Sequence, residues 1–519
     1  MTLTARLNRL LQTLPKTYQG PGGAIAILQR GEILARHAWG FANMERRIPF
    51  TPATLHRMCS ITKQFTCATM LATFPDPTIL DPDVQARLPT LQQPAPTALQ
   101  LAHNQSGLRD YWAVAMLHGA PPESDFGDTE AALLIGATRT LHFQPGTRYS
   151  YVNQNFRLLS DIIQHRTGRP FAELLRKHVF NPAGMPTAIL AADTRAMPDG
   201  TEGYEGNQAT GFRPAINRIL WTGDAGLGAS LDDMIAWERH IDATRDDPAA
   251  LYPRLSAPIT FADNTPATYG FGLSRRPELG HPATSHGGAL RGWRSHRMYL
   301  PNERISVVVL FNHMADAHGA AIDALAALLD ADRPPPTLSP NPPLYLGAYI
   351  EPETGLSVRL AHSEGRLRLK YGTYWEPLDI NDDGTAGTQG TRLRPGEDGL
   401  WMDIPQDHQS TRLQPLDPTP GALDVAGRYR CEELGAELTI ANAGGVLHAA
   451  FSGFLGRGRM EILDPIGKDV WALPCPRALD HTPPGDWTLA IKRDPTGTPT
   501  HLQLGCWLAR NLTYTRLDT

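Results

Sequence analysis

Apolar residues along the first 331 positions follow two different periods, and along the remainder only one. Leu3, Leu7, Leu10, Leu11 and Leu14 fall three or four apart, with Arg and Asn between them. That spacing predicts an amphipathic helix packed on the body of the protein. Ala24-Ile25-Ala26-Ile27-Leu28 is a continuous apolar run between Pro21-Gly22-Gly23 and the turn Gln29-Arg30-Gly31-Glu32, which predicts a buried strand, with a second over 33–41. Helical character resumes after Ser60 (Phe65, Ala68, Met70 and Leu71, with no Gly or Pro before Pro75) and again over 129–139, 156–179 and 230–241. Strand patterns follow at 269–273, 294–300 and Ile305–Phe311, and then a helix at Ala317–Leu329. Strands, then helices, then strands is an α+β order. It predicts an antiparallel sheet assembled from both chain ends with helices laid upon it.

The pattern changes at Asp332-Arg333-Pro334-Pro335-Pro336-Thr337-Leu338-Ser339-Pro340-Asn341-Pro342-Pro343, whose composition predicts a stiff linker over 332–343. It separates a domain of residues 1–331 from two smaller units, 344–418 and 419–519. These units repeat: Gly347-Ala348-Tyr349 matches Gly427-Arg428-Tyr429, Glu353 matches Glu433, Gly355 matches Gly435, Gly365 matches Gly445 and Leu367 matches Leu447, all 80 residues apart. Short alternating strands with frequent turns predict two small antiparallel β-barrels.

Composition narrows the function. The 519 residues carry 41% hydrophobic and 19% charged side chains and a net charge of −5, so no basic face is offered to nucleic acid. Cys59, Cys67, Cys431, Cys475 and Cys506 are scattered and odd in number, which fits free thiols in a reducing compartment. The N-terminal stretch does not read as a signal peptide and no apolar run spans a bilayer, so a cytoplasmic protein with no membrane partner is expected. There is no H-E-x-x-H and no tight His/Cys/Asp cluster, and neither a metal nor another cofactor is expected. A G-x-S-x-G nucleophile turn is also missing.

The candidate chemistry lies in three short stretches. Ser60 is the only serine followed three residues later by lysine, a spacing that puts both side chains on one helix face. In the first turn of a helix, Ser60 would be the nucleophile, Lys63 its base, and the Ser60 N–H one donor for an oxyanion. Lys63 needs desolvation or a suitable neighbour to act as a base near neutral pH. Tyr151-Val152-Asn153 is the only Tyr-x-Asn; Tyr151 could carry a proton to a leaving group and Asn153 could hold a substrate carbonyl. Ser285-His286-Gly287-Gly288-Ala289 would bring bare backbone close to a ligand at Gly288, give Ala289 N–H as second oxyanion donor, and let His286 bond to Tyr151 or tune the relay. Cys59, beside Ser60, reads as a small buried apolar residue.

In this order, Ser60-x-x-Lys63, Tyr151-x-Asn153 and His286-Gly287-Gly288 resemble the three motifs of the penicillin-recognising serine hydrolases, the class C β-lactamase-like SxxK family. The likeness extends to His103-Asn104-Gln105-Ser106-Gly107-Leu108, Phe143-x-Pro145-Gly146-Thr147, Asn181-Pro182-Ala183-Gly184-Met185 and Asp224-Ala225-Gly226-Leu227, covering about residues 15 to 330. It implies a β-lactamase/DD-peptidase-like domain and a serine acyl-enzyme. Family members that grip a substrate carboxylate carry Lys-Thr-Gly or His-Thr-Gly at the third motif. His286-Gly287 lacks the cation and the hydroxyl, which counts against carboxypeptidase and β-lactamase activity.

The two C-terminal units, with Gly453-Phe454-Leu455-Gly456, Asp469-Val470-Trp471 and Gly505-Cys506-Trp507-Leu508-Ala509-Arg510, resemble the bacterial D-aminopeptidases of the family. There a loop of the last domain enters the active site with an acid for the substrate amine. The matching loop spans 476–486 and the matching acid is Asp480. The resemblance implies release of an N-terminal D-amino acid such as D-alanine from small peptides, amides and esters, a homodimer, and β-lactams as inhibitors. The alternatives are a family esterase or β-lactam hydrolase, and a non-catalytic binding module.

Overall fold

The computed structural model describes residues 1–331, 345–372, 374–381, 383–388, 390–480 and 485–517. The predicted linker 332–343 lies outside these residues, as do residues 481–484 of the predicted active-site loop.

An eight-stranded antiparallel sheet frames the first part of the chain. Its long strands lie in the order Thr284–Leu290, Trp293–Leu300, Ile305–Phe311, Gly22–Gln29 and Glu32–Asn43. The first strand of the chain thus pairs with the last of this unit, Gly23 opposite Phe311 and Ile27 opposite Val307. The sheet built from both chain ends is as the apolar pattern predicts. The neighbouring strands Gly22–Gln29 and Ile305–Phe311 are almost wholly apolar because both faces are covered. Ile25, Ile27, Val307 and Val309 meet Leu7, Leu10 and Leu14 of the helix Leu3–Thr17 and Leu325 of the helix Ala317–Leu329. Ala24, Ala26, Val308 and Leu310 meet a second core that contains Phe65 and Trp237.

The helix Thr62–Thr73 runs through that second core. Two predicted helical stretches differ in detail. The stretch 156–179 is broken: a helix over Asn153–Thr167 stops at Gly168, whose φ of +65° closes it, and the chain restarts after Pro170 as Phe171–Leu175. A helix at Tyr111–Leu117 was not predicted, because it is apolar on all sides and shows no period. One side, with Tyr111 and Trp112, packs on the first domain; the other, with Ala113 and Leu117, enters the core of the last sheet.

The 80-residue repeat recurs in the fold. Strands Gly347–Glu351, Leu356–Ser363 and Arg366–Lys370 recur as Gly427–Cys431, Ala436–Ala443 and Val446–Gly453. Tyr349 and Tyr429 each donate from the hydroxyl to the carbonyl four residues back, at 2.8 Å in both copies. Each copy forms a barrel-like meander of nine and ten strands. In the first, the edge strands Gln409–Arg412 and Gln414–Pro415 are consecutive in the chain, so the sheet curls until its edges meet. Among the described residues no helix is long and apolar enough to cross a membrane, and no group of three or more His, Cys, Asp or Glu is placed to hold a metal ion.

Candidate active site

From His56 to Leu71 every residue is buried except Ser60. Ser60 lies not in the helix proper but in the 3-10 turn Cys59–Ile61 that feeds it, two residues before the first helical residue, Thr62. The turn is strained: Cys59 has φ of +51°, a conformation that costs a non-glycine residue roughly 1–3 kcal/mol. Thr62 Oγ1 donates to Cys59 O at 2.6 Å, and Met58 N–H to Leu227 O at 2.9 Å, and these bonds hold the chain there. The strain lifts one hydroxyl out of an otherwise closed surface. Cys59 itself is wholly buried and its thiol is pushed up to about 12, so it is the apolar filler expected and not a nucleophile.

Lys63 is fully buried, and its Nζ lies 3.0 Å from Ser60 Oγ, 2.9 Å from Asn153 Oδ1 and 2.9 Å from Asp224 O. Burial pulls its pKa down to about 8, against the opposing charges of Asp224, Asp110 and Asp480. Two of the three contacts are permanent acceptors. In the neutral amine they engage two N–H bonds, which leaves the lone pair for Ser60.

Tyr151 donates to Ser60 Oγ at 2.7 Å. Burial holds its pKa well above the usual phenol value, so at neutral pH it keeps its proton and can donate it. Asn153 does more than the predicted grip on a substrate carbonyl. Its Oδ1 accepts from Lys63, and its backbone N–H and Nδ2 both donate to Asp110 Oδ2, at 2.5 and 3.0 Å. Asp110 is buried and its carboxyl is raised to about 6 by desolvation; it also accepts from Trp112 N–H at 2.9 Å and so starts the helix Tyr111–Leu117.

The third motif lies alongside the Cys59–Ile61 turn, on strand Thr284–Leu290. Gly288 is required by contact. A Cβ there would sit 2.2 Å from Met58 O and 3.1 Å from Cys59 Cβ. Its bareness lets strand and turn meet, which differs from the predicted approach to a ligand. At Gly287 a Cβ would meet only ordinary contacts, at 3.5 Å or more. Ala289 follows on the same strand, opposite Arg294. His286 is corrected in one respect. Its partner is Tyr269, whose hydroxyl lies 3.0 Å from Nε2, while Nδ1 lies 2.6 Å from Gly287 O. A carbonyl can only accept, so Nδ1 carries the proton and Tyr269 donates to Nε2. The ring is 6.2 Å from that of Tyr151, centroid to centroid, and reaches it only through the packing of Tyr269 against both. Desolvation, with Lys63 nearby, drops His286 to about 3. It is therefore neutral, and no cation stands where a carboxylate-gripping lysine would.

The last barrel brings Asp480 into the neighbourhood of Lys63 and Tyr151. Asp480 is 3% exposed and its charge acts on Lys63, Tyr151 and Cys59. Leu479 packs in one cluster with Cys59, Tyr111 and Trp293. Arg291, itself buried, donates to Ala478 O at 2.7 Å and Leu479 O at 3.3 Å. The barrel is docked by further bonds from the first domain: Asp110 N–H to Leu508 O at 2.9 Å, and Arg109 Nε to Arg510 O at 2.8 Å.

All eight sequence candidates thus lie in one neighbourhood around the Cys59–Ile61 turn. Sequence reasoning missed Asp110, Asp224, Tyr269 and Arg291. Asp224 and Arg291 stand in or beside runs the motif search had reached, but their roles depend on backbone carbonyls and on loops distant in sequence.

Comparison with known proteins agrees with this geometry. The β-lactamase family model matches residues 7–332, and the model described as D-aminopeptidase, domain B, matches residues 339–515. A D-aminopeptidase of Gluconobacter oxydans is 58% identical over 99% of both chains, and one of Brucella melitensis is 45% identical over 98% of both. Among solved structures, the octameric penicillin-binding protein homologue from Pyrococcus abyssi covers 99% of this chain and 100% of its own, with a TM-score of 0.52 at 17% identity. SurE covers 79% of this chain and 99% of its own, with a TM-score of 0.54 at 19% identity. These two likenesses concern the fold alone. The chain belongs to the D-aminopeptidase family, in which a β-lactamase-like domain is followed by barrel-like sheets.

Proposed function

We propose that this protein is a serine aminopeptidase that releases an N-terminal D-amino acid, such as D-alanine, from peptides, amides and esters. The observation that carries the reading is the meeting of Ser60, Lys63 and Tyr151 within 3.0 Å contacts, under a carboxylate brought from another domain. Neutral Lys63 takes the Ser60 proton, and Ser60 Oγ attacks the scissile carbonyl. The N–H groups of Ser60 and Ala289 hold the oxyanion. Tyr151 passes a proton to the departing amine, and water then releases the acyl group. His286 acts through Tyr269 as a neutral wall of the relay. Asn153 orients Lys63 and offers its remaining N–H to the substrate.

Asp480 accounts for the direction of the peptide. A buried carboxylate beside the nucleophile favours the ammonium of a free N-terminus. The opposite face, His286-Gly287, holds no charge for a C-terminal carboxylate. Preference for the D-configuration rests on kinship with the D-aminopeptidases of Gluconobacter oxydans and Brucella melitensis. Homodimer formation, a cytoplasmic setting and inhibition by β-lactams belong to the same reading; sedimentation at twice the chain mass checks the first. The whole is tested by comparing D- and L-alanine amides with an N-blocked ester and a cephalosporin. Turnover of D-alanine amide well above the others is expected. Turnover confined to the ester and the cephalosporin would replace the aminopeptidase with an esterase or β-lactam hydrolase.

A further inference from the structure

The orientation of the Asn153 amide decides what Lys63 finds beside it. With Oδ1 turned to Nζ, at 2.9 Å, the amide accepts from the amine. Turned over, it would present its NH2 to another donor. Asp110 selects between the two. Its Oδ2 accepts from Asn153 Nδ2 at 3.0 Å and from Asn153 N–H at 2.5 Å, which pins the residue at both backbone and amide. Its Oδ1 accepts from Trp112 N–H at 2.9 Å. Three N–H donors converge on one acceptor-only side chain. Asp110 is in turn held from the last barrel, since its N–H donates to Leu508 O at 2.9 Å. Leu508 lies in the two-residue turn between strands Pro499–Cys506 and Ala509–Arg516, where Cys506 pairs with Ala509. Arg510 Nε donates across that turn to Trp507 O at 3.1 Å, which stiffens it. The neighbouring Arg109, also buried, donates from Nη1 to Glu433 Oε1 of the same barrel at 2.9 Å. The first barrel uses the equivalent residue: Glu353, 80 positions earlier, pairs with Arg148, three residues before Tyr151.

From this geometry we infer that Asp110 is a positioning residue for the general base: anchored by the Leu508 turn of the last barrel, it holds Asn153 with Oδ1 toward Lys63. The inference rests on the reading of Lys63 as that base. Asp110 is wholly buried and acts through Asn153. Its charge works against the base, because a nearby carboxylate favours the ammonium. What it contributes is orientation, fixed before substrate arrives. The last barrel then serves the chemistry through Asp110 and Asn153, in addition to bringing Asp480 near.

The test is the pH–rate profile of full-length Asp110→Asn, on D-alanine p-nitroanilide and on an N-acetylated D-alanine ester. Asparagine starts a helix as well as aspartate does, so a residue that only capped Tyr111–Leu117 would tolerate the change. Its single oxygen cannot serve both Asn153 and Trp112, and its NH2 meets a donor on one side. At the high-pH plateau kcat should fall on the order of 10–100-fold on both substrates, with KM little changed. Lys63 is faced by the carboxyls of Asp224, Asp110 and Asp480 and by Cys59, Cys67, Tyr151 and His286. With the charge of Asp110 removed, the rising limb should move to lower pH. A native kcat, a loss confined to KM or to Tm, or a lowered kcat with an unmoved limb overturns the inference. If Asp110→Asn does not fold, Glu433→Gln on the barrel replaces it. That variant should lower kcat several-fold on both substrates with KM little changed, and a native kcat overturns the inference. Lys63→Ala separates the two levels. If it loses activity while the Asp110 or Glu433 variant keeps its native kcat, only the positioning role fails. If it keeps near-native turnover, the base reading fails and the positioning role falls with it.

Discussion

Gly288→Ala is the sharpest probe of how the cleft is built. The added methyl would lie 2.2 Å from Met58 O, 2.2 Å from Ser295 Oγ and 3.1 Å from Cys59 Cβ. Ser295 can rotate at the cost of its 3.0 Å bond to Met58 O, but Met58 O is backbone. Relief to an ordinary contact of about 3.2 Å requires strand and turn to part by about 1 Å. Overpacking of this kind costs roughly 1–3 kcal/mol of stability. The displacement falls on the spacing between Ser60 N–H and Ala289 N–H, and a 1 Å error in such a site can cost on the order of 100-fold in rate. Gly287→Ala is the matched control, since its methyl meets only His296 Nδ1 at 3.5 Å and Ser295 O at 3.7 Å. The assay is kcat/KM on D-alanine p-nitroanilide with thermal melting of both variants. The expected result is a drop of about two orders of magnitude for Gly288→Ala with a lowered Tm, and near-native values for Gly287→Ala. Full activity in Gly288→Ala, or equal damage from the two, would refute the claim that strand and turn form one oxyanion site.

Other expectations follow from the charges. With Lys63 at about 8, the acylation rate on an N-blocked ester should rise with pH and level off above about 9, as the ammonium loses its proton. With His286 at about 3, that residue should add no inflection between pH 5 and 7. Lys63→Ala should lose roughly 10²–10⁴-fold in rate; near-native turnover would make the lysine a bystander. Asp480→Asn removes a negative charge that favours the Lys63 ammonium, so the rising limb on the ester should move to lower pH. The same variant should lose amine substrates far more than the blocked ester, as read from the ratio of kcat/KM.

Much of this architecture was legible in the chain, and the reasons are local. Ile25, Ile27, Val307 and Val309 announce a buried sheet by being apolar without alternation. The Gly355 and Gly435 pair marks the barrel repeat because both sit at φ of +68°, where other residues are strained. Ser60, Lys63 and Tyr151 were found by spacing and order. What escaped has a common cause. Tyr111–Leu117 is apolar on every side because two domains compete for it, so it has no helical period to read. Asp110 looks like a loop acid until folding brings Asn153 against it. Tyr269 became the partner of His286 in place of Tyr151 because strand pairing of Ser274 with Ser285 carries the preceding hairpin beneath the histidine. Such contacts depend on tertiary register, which spacing along a chain does not record.

The most direct measurement is the mass of the acylated protein. Full-length chain is mixed with a fluorophosphonate or a β-lactam, quenched, digested and sequenced by mass spectrometry, with Ser60→Ala in parallel. A single adduct on Ser60, absent from the variant along with all turnover, is the predicted result. An adduct on another residue, or a Ser60→Ala protein that still releases D-alanine, would contradict the account.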